Sequence, residues 1–330
     1  MREPFNTCRL FMHRAHPWFV PDSLEFAAKV RWRMRFDHNP LFIEIQDKWS
    51  VRAYAGARGV RTAPLLHETD HPESLPFDSF PARYLIKANH GCGWNILGFD
   101  GGLYHFRDGR ALVRPDGRLL DKAAASSFQL DRAGAVRQCR AWLAMRHRRR
   151  EWAYQKIKPR IVVEAMLEAP GGGVLQDYRF YTFGGEVRAI SIGSCLYRRR
   201  QQNVFFDHAW RPFELTRYKE GLPDPLPPRP DRLPEMLEIA GRLGAGIDFV
   251  RIDLYDSTEG VILGEMTVYP SGGSEGTPTH CPVFNHWLGH QWDIPPERRR
   301  QALLWEQLRR IRTCPRQLAR RHLPWLRPEG

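Results

Sequence analysis

The sequence predicts an α+β fold, and three observations support this prediction. Segments with apolar residues at helical spacing are separated by segments in which apolar and polar residues alternate. Two of the alternating segments contain a glycine-bearing turn, which is typical of antiparallel hairpins. The 330 residues are 42% hydrophobic and 26% charged, as in ordinary globular proteins, so a sizeable core is expected.

The N-terminal region is predicted to be mostly helical. In the segment PDSLEFAAKVRWRMRF, apolar residues recur at four-residue steps. A second helix is predicted from about residue 42 to 57. It places Lys48 and Arg52 one turn apart, which suits either an anion-binding pair or a solvated basic face.

Two further helices are predicted along the chain. One runs from Asp131 to Arg150. The stretch between Gly221 and Pro234 contains too many prolines for a helix or a central strand and is predicted to be a linker or surface loop. It leads into the other helix, whose apolar residues follow from Leu233 at helical spacing.

Two segments are predicted to form hairpins. The first, DYRFYTFGGEVRAISIGS, alternates on both sides of Gly184 and Gly185. The second is FVRIDLYDSTEGVILGEMTVYP. Both hairpins belong to the C-terminal half of the chain, so this half is expected to contain an antiparallel sheet.

The second hairpin carries the residues with the most chemistry. If its turn is symmetric about Glu259, then Asp253 lies opposite Glu265, and Arg251 lies opposite Thr267. Like charges in directly opposed positions destabilise a sheet unless a cation lies between them. Two carboxylates together with substrate phosphates are a usual ligand set for Mg²⁺. The pair therefore predicts a metal site, unless the turn is asymmetric or Arg251 simply neutralises Asp253.

A lysine followed by a glycine-containing turn is the second chemical feature. In YLIKANHGCGWN, residues 84 to 95, Lys87 leaves a hydrophobic strand and precedes Gly91 and Gly93. Glycines allow the turn to present backbone N–H groups, so a polyphosphate is held between these groups and the lysine. The alternative is an ordinary structural turn.

The order of these features resembles the ATP-grasp superfamily and, more narrowly, the TupA-like ATP-grasp family, named for teichuronopeptide biosynthesis. The resemblance spans about residues 35 to 275. It lies in the segments NPLFIEIQDKWSVRAYA, YLIKANHGCGWNI, EWAYQKIKPRIVVEAMLE, DYRFYTFGGEV and FVRIDLYDSTEGVILGEMT. The resemblance implies the ATP-grasp fold, in which two α+β subdomains close on ATP beside a helical N-terminal region.

Four segments of the chain are predicted. They are a mostly helical N-terminal region (1–80), an ATP-grasp subdomain with the glycine-rich loop (81–170), an ATP-grasp subdomain with the metal-binding carboxylates (171–290) and a basic helical tail (291–330).

The resemblance also implies roles for individual residues. The residues implied to bind ATP are Lys48 and Lys87 at the phosphates; His90, Gly91, Gly93 and Asn95 in the covering loop; Glu164, Ala165 and Leu167 at the adenine; Asp177 near the ribose; and Arg179 at a phosphate. Asp253 and Glu265 are implied to hold Mg²⁺. Arg251 and Lys87 are implied to be catalytic.

The activity implied is that of an ATP-dependent carboxylate-amine ligase, with ATP and Mg²⁺ as cofactors. Such a ligase activates a carboxylate as an acyl phosphate, and an amine then displaces phosphate. The setting implied is the modification of a polysaccharide or a peptidyl polymer. Two alternatives remain open: a glycosyltransferase that uses a nucleotide-sugar, although the sequence contains no DxD motif, and a non-catalytic nucleotide- or polyanion-binding protein.

Three residues depart from the pattern of the family. Cys92 stands where the family often has serine, and Trp94 stands where a further glycine is common. Thr267 occupies a position where many ATP-grasp enzymes have a metal-binding asparagine, so either one or two metal ions fit this pattern.

Charge and composition bear on partners and location. The 50 Lys and Arg against 37 Asp and Glu give a net charge of +13, which favours an acidic small-molecule or polymer substrate. No nucleic-acid-binding module is recognisable. The six cysteines form no CxxC pair and no apolar run is long enough to span a membrane, so a cytoplasmic protein is expected.

The C-terminal tail, residues 297 to 330, lies outside the resemblance. Leu303, Leu304, Leu308 and Ile311 fall on one helical stripe among arginines. This pattern suits packing on the body of the protein, contact with a protein partner, or peripheral contact with an anionic membrane.

Overall fold

The fold combines short helices with two antiparallel sheets. The computed structural model describes residues 25–105, 125–147, 150–172, 175–194, 204–213, 222–273, 281–295, 298 and 300–306. The helices are α1 (Phe26–Phe36), α2 (Leu41–Gln46), α3 (Val51–Gly56), α4 (Arg132–Ala144), α5 (Leu233–Gly244) and α6 (Pro282–His290).

The strands lie in two sheets. The strands are β1 (Leu65–Thr69), β2 (Arg83–Ala88), β3 (Asn95–Phe99), β4 (Gly102–His105), β5 (Gln129–Leu130), β6 (Ile161–Ala165), β7 (Gln176–Phe183), β8 (Glu186–Ser194), β9 (Phe205–Phe206), β10 (Val250–Ser257) and β11 (Gly260–Thr267). The first sheet has the order β1-β6-β2-β3-β4-β5 and the second has the order β11-β10-β7-β8-β9. This mixture of helices and antiparallel sheets confirms the predicted α+β class. The first sheet draws β1 from before residue 81, and the predicted domain boundaries stay a prediction.

Both predicted hairpins are present. The first joins β7 to β8 through Gly184 and Gly185, whose φ angles are 61° and 92°. Positive φ at both central residues matches the right-handed twist of the strands, and glycine adopts it without strain. The second hairpin joins β10 to β11 and also contains the predicted register, in which Asp253 pairs with Glu265.

The tip of the second hairpin differs from the prediction. Ser257 pairs with Gly260, so the turn has two residues and its centre lies before Glu259. Between this turn and the carboxylates the register shifts by one residue, because Gly264 is inserted as a bulge. The bulge restores the predicted pairing beyond it. A β-carbon at Gly264 would lie 2.6 Å from the ring of Tyr255, so the bulge is packed against that ring.

The prediction of one continuous helix over residues 42 to 57 is wrong. The chain forms α2 and α3 with a turn between them. The carboxylate of Asp47 accepts hydrogen bonds from the Trp49 backbone N–H and the Asn89 side chain, both at 2.8 Å. A side chain that bonds nearby backbone in this way competes with helical hydrogen bonding. Lys48 therefore lies in a turn that is tied to the first sheet.

The helix predicted from Asp131 to Arg150 is shorter than expected. It ends at Ala144, and Met145 is extended. The carbonyl of Trp142 in its last turn is within hydrogen-bond distance of His90 Nε2, at 3.1 Å. By contrast, α5 begins at Leu233 as predicted, directly after the proline-rich stretch.

The helical N-terminal region packs on the second sheet. Arg33 of α1 is fully buried, donates to the Phe249 carbonyl at 2.6 Å and lies 4.2 Å from the ring centre of Trp292. Lys29 donates to the Gly289 carbonyl of α6 at 2.7 Å. These buried cations satisfy backbone carbonyls and fix α1 between the sheet and α6. The first sheet packs separately against α4.

The start of the C-terminal tail packs on the body of the protein. Residues 300–306 are helical, Ala302 is buried, and Leu303 contacts the main core. Glu306 forms an ion pair with Arg31 of α1 at 2.8 Å. Leu304 is 59% exposed. Leu308 and Ile311 lie outside the described residues, so partner or membrane contact through the tail stays a hypothesis.

In the part of the chain that the structure describes, every helix is too short or too polar to cross a lipid bilayer.

The N-cap of helix α4 is expected to contribute to the free energy of unfolding. Asp131 is its N-cap, and its carboxylate accepts a hydrogen bond from the Gly134 backbone N–H at 2.6 Å. We expect Asp131→Ala to lower the free energy of unfolding by about 1 kcal/mol, because the backbone donor loses its partner. Asp131→Asn is the matched control and is expected to cost little, because asparagine caps equally well. Urea unfolding of both variants measures the difference; equal losses would contradict the capping role.

Candidate active site

A row of charged side chains occupies one face of the second sheet. Residues alternate between the two faces of a strand, so Asp177 and Arg179 of β7 lie on the same face as their cross-strand neighbours. Arg179 pairs with Asp253 on β10, and Asp253 pairs with Glu265 on β11. The sheet thus brings three carboxylates and their arginines together from three adjacent strands.

Arg251 lies between the two carboxylates of the predicted metal site. Its guanidinium donates to both oxygens of Asp253, at 2.7 and 2.5 Å, and to Glu265 at 2.8 Å. The Thr267 hydroxyl donates to the same Glu265 oxygen at 3.1 Å. The cation between the opposed carboxylates is therefore Arg251, which neutralises Asp253 as in the alternative to a metal site, and the metal site stays a prediction.

The two carboxylates of this pair respond differently to their surroundings. Burial raises the pKa of Asp253, and the negative charges of Asp177 and Glu265 add to this effect although Arg251 opposes it. Burial also disfavours ionisation of Glu265, but the charges of Arg251 and Lys48 outweigh it and lower the pKa of Glu265 to about 2. The three carboxylates Asp177, Asp253 and Glu265 thus carry more negative charge than Arg251 alone neutralises.

Asp177 has one carboxylate oxygen in use and one free. Arg179 donates to Oδ2 through Nε at 2.8 Å, and its Nη2 lies 2.6 Å from the same atom. Oδ1 is buried and has no hydrogen-bond partner. Burial raises the pKa of Asp177 despite the adjacent arginines. A buried acceptor without a donor suits a ligand hydroxyl.

The residues present fit a magnesium ion. Asp253 and Glu265 supply hard oxygen ligands from directly opposed positions. Within the described ranges, no group of three or more His, Cys, Asp or Glu is arranged to hold a metal. Two carboxylates without a complete protein cage match the way in which Mg²⁺ is bound together with substrate phosphates.

Lys87 is held by a carboxylate of the first sheet. Its ammonium group lies 2.5 Å from Glu164 Oε2, and Arg52 donates to the other oxygen of Glu164. Arg52 also donates to the Ala63 carbonyl at 2.6 Å. The pair of cations lowers the pKa of Glu164 against the effect of burial. The Arg52 side chain is 14% exposed and bonds Glu164, so it does not lie on a solvated basic face, and anion binding by Lys48 and Arg52 stays a prediction.

Lys48 connects the glycine loop, residues 90–95, with the carboxylates. Its ammonium group donates to the Gly91 carbonyl. Its charge also contributes to the low pKa of Glu265. Lys48 therefore lies where the loop of the first sheet meets the carboxylate cluster of the second.

The glycine loop is partly turned towards the core. His90 is buried, and its ring nitrogens lie within hydrogen-bond distance of the Asn89 side chain, at 3.0 Å, and of the Trp142 carbonyl. Gly93 has a φ of 74°. A β-carbon at Gly91 would lie 2.3 Å from Trp94, so the indole packs directly on the loop backbone. His90 thus supports the loop from beneath, and the exposed part of the loop begins at Cys92 and Gly93.

The predicted adenine segment lies at the end of β6. The Ala165 backbone N–H donates to the Pro64 carbonyl at 3.0 Å. Leu167 is buried and packs with Leu175 and Ile262. Asn95 begins β3 and pairs with Lys87, which places it beside the lysine. The roles predicted for these residues in ATP binding stay predictions.

Two supporting residues were missed at the sequence level. Asn89 is fully buried, and its side chain bonds Asp47, the Lys158 carbonyl and the Arg160 backbone N–H. It therefore fixes both the glycine loop and the turn that carries Lys48. An asparagine directly between a strand and a glycine loop is the sequence signal that suggests such a role. The second is Tyr154, which lies on the short 3₁₀ helix Ala153–Gln155.

Comparison with known proteins identifies the family. The sequence model of the TupA-like ATP-grasp family matches residues 119–292, more than half of the 330 residues. The chain belongs to this family. The matched range contains Glu164, Asp177, Arg179 and the Asp253 and Glu265 pair, whereas Lys48 and Lys87 precede it. Membership in the TupA-like ATP-grasp family confirms the predicted ATP-grasp fold.

Several solved structures are also similar to this chain. N5-carboxyaminoimidazole synthetase from Staphylococcus aureus complexed with ADP has 10% identity, a TM-score of 0.37, and coverage of 76% of this chain and 52% of its own. L-amino acid ligase from Bacillus licheniformis has 14% identity and a TM-score of 0.39, and the match covers 76% of this chain and 53% of the ligase. D-alanine–D-alanine ligase from Bacillus anthracis complexed with ATP has 12% identity and a TM-score of 0.39, and the match covers 82% of this chain and 66% of the ligase. The TupA-like chain thus spans about half to two thirds of these proteins.

Among proteins of curated function, none is similar enough in sequence to match the chain.

Proposed function

We propose that this TupA-like ATP-grasp protein is an ATP- and Mg²⁺-dependent ligase that joins a carboxylate to an amine through an acyl phosphate. The observation that carries the proposal is the buried Asp253 opposite Glu265, with the guanidinium of Arg251 between them. A scaffold gains nothing from like charges in directly opposed strand positions. A phosphoryl-transfer site needs a place where a cation neutralises both protein and substrate charge.

The surrounding residues support ATP as the substrate. Lys87 and Lys48 supply cations beside the glycine loop, and the exposed backbone at Cys92 and Gly93 is available to phosphate oxygens. The free Oδ1 of Asp177 suits a ribose hydroxyl. Mg²⁺ held by Asp253 and Glu265 would neutralise charge on the phosphates and orient them.

The proposed reaction needs no covalent protein intermediate. An oxygen of the acceptor carboxylate attacks the γ-phosphorus, the bond from that phosphorus to the bridging oxygen breaks, and ADP leaves. The amine then attacks the acyl carbon, phosphate leaves with the carbon–oxygen electron pair, and the nitrogen loses a proton. Arg251 is proposed to donate to the transferred phosphoryl group, because its planar fork already spans the two carboxylates.

The substrate is proposed to be acidic and to belong to a polysaccharide or a peptidyl polymer. The net charge of +13 supports attraction of an anionic acceptor. A cytoplasmic location fits the ATP requirement of this proposal. Contact of the basic tail with a protein or an anionic membrane is a separate proposal.

Nucleotide-dependent stabilisation tests this function. We expect Mg·ATP to raise the melting temperature, because a ligand that binds only the folded state stabilises it. Lys87→Ala and Asp253→Asn are expected to abolish the rise. Lys158→Ala and Asp70→Asn are matched controls, since these residues form a surface ion pair at 3.2 Å, and both variants should keep the rise. Release of ADP is then screened with uronic acids, acidic peptides and amines.

Two outcomes contradict the ligase proposal. One is the absence of any shift with Mg·ATP, which favours a non-catalytic binder of other anions. The other is a shift only with a UDP-sugar, which favours the glycosyltransferase alternative.

A further inference from the structure

Tyr154 lies on a short 3₁₀ helix, Ala153–Gln155, that contacts α2, and α2 in turn contacts β11, the strand that carries Glu265. Its exposed fraction is 8%. Its ring packs edge-on against His147 with a centroid distance of 4.8 Å, and His147 packs edge-on against Trp94 of the glycine loop at 5.6 Å. This chain of aromatic rings fixes the position of the tyrosine relative to the loop.

The phenol of Tyr154 lies among ionisable groups from both halves of the site. Glu265 and Arg251 act on it from the second sheet, and Cys92 acts on it from the glycine loop. Glu151, from its own segment, is a further negative neighbour. Within the described residues, no hydrogen bond is formed by the Tyr154 hydroxyl. A polar group in the middle of a charged site, without a protein partner, is available to a ligand.

The protonation state makes this hydroxyl a donor. Burial raises the pKa of Tyr154 well above its ordinary value of 10.0, and the charges of Glu265 and Glu151 act in the same direction. Even an unshifted phenol, with a pKa of about 10, keeps its proton at neutral pH, so the hydroxyl is a hydrogen-bond donor there.

We propose that the Tyr154 hydroxyl donates a hydrogen bond to the phosphoryl group of ATP while that group moves to the acceptor carboxylate. This inference rests on the proposed function and adds a residue to it. During transfer the negative charge spreads over the three non-bridging oxygens of the phosphoryl group. A donor fixed between the glycine loop and Arg251 meets one of these oxygens, and its proton stays on the phenol throughout.

The test compares Tyr154→Phe with Tyr84→Phe by titration calorimetry. Phenylalanine keeps the ring contacts and removes only the hydroxyl. Tyr84 is the matched control, because it is also 8% exposed but packs in the core beneath α4. This core lies on the face of the first sheet opposite to the face that carries Lys87. The ligands are Mg·ADP alone and Mg·ADP with aluminium fluoride, which mimics the phosphoryl group in transfer.

We expect Tyr154→Phe to bind Mg·ADP like the wild type and to bind the aluminium fluoride complex about ten- to a hundred-fold more weakly. Tyr84→Phe should match the wild type with both ligands. Equal affinity of Tyr154→Phe and wild type for the fluoride complex would overturn the role of Tyr154 alone. Failure of the wild type to bind Mg·ADP would overturn the proposed function together with it.

A second measurement leaves the hydroxyl in place and covers the case in which Tyr154→Phe does not fold. The chain carrying 3-fluorotyrosine at position 154 gives a fluorine resonance next to the hydroxyl. We expect this resonance to shift when aluminium fluoride is added to the Mg·ADP complex. A resonance that does not shift when aluminium fluoride is added to the Mg·ADP complex would exclude contact between Tyr154 and the phosphoryl group.

Discussion

Replacing Arg251 by lysine is expected to slow phosphoryl transfer about 1000-fold while Mg·ADP binding changes little. Nε and Nη2 of the guanidinium donate to Asp253, and Nη2 also donates to Glu265. In the proposed site, with Mg²⁺ held by the two carboxylates, this fixed fork would contact the phosphoryl group in one orientation. Lysine keeps the charge but offers a single point contact on a flexible stem. The measurement is ADP formation in a single turnover of Mg·ATP, with the acceptors found in the screen or with water.

Arg188→Lys is the matched control for this prediction. Arg188 lies on β8 of the same sheet, pairs with Glu186, and has a side chain that is 46% exposed. Its replacement should leave the single-turnover rate unchanged. If Arg251→Lys reduced Mg·ADP affinity and the rate by the same factor, Arg251 would be a binding residue and not a residue that acts on the transferred group.

The strand pairing of the second hairpin could be predicted because it depends on local patterns. Alternation fixes which residues share a face, and the opposed pairing of Asp253 with Glu265 follows from the approximate centre of the turn. The prediction succeeded although the turn is centred one half-residue earlier than assumed. The inserted Gly264 offsets that error, and a glycine inside a strand pattern is the sequence signal from which this bulge could have been predicted.

The surroundings of Lys48 and Lys87 could not be predicted in the same way. Asp47 breaks the expected helix by bonding Asn89, which is 42 residues away, and Arg52 bonds Glu164, which is 112 residues away. Helical spacing reports only on neighbours within one or two turns. The partners of these side chains lie directly after β2 and on β6, far away in the sequence, so the sequence supplied the residues but not the contacts.

Replacing Glu164 by glutamine is expected to lower the free energy of unfolding by about 3 kcal/mol at pH 7. Glu164 is 8% exposed and neutralises two cations, Lys87 and Arg52. Glutamine has nearly the same shape but leaves both cations without a counter-charge in a largely buried position. Urea unfolding at constant temperature measures this loss. Glu68→Gln is the control, because Glu68 also pairs with an arginine but is 33% exposed, and its loss should stay below about 1 kcal/mol.

The pH dependence separates the charge effect from a simple packing effect. The pKa of Glu164 is lowered in the folded protein, because the two cations outweigh the opposing effect of burial. The stabilisation by the carboxylate is therefore fully present above its ordinary pKa of 4.5 and is lost as the pH falls through the lower folded value. The difference in unfolding free energy between wild type and Glu164→Gln should stay constant from pH 7 to about 5 and narrow below that. A difference that persists unchanged in acid would show that glutamine disturbs packing and that the carboxylate charge does not stabilise the site.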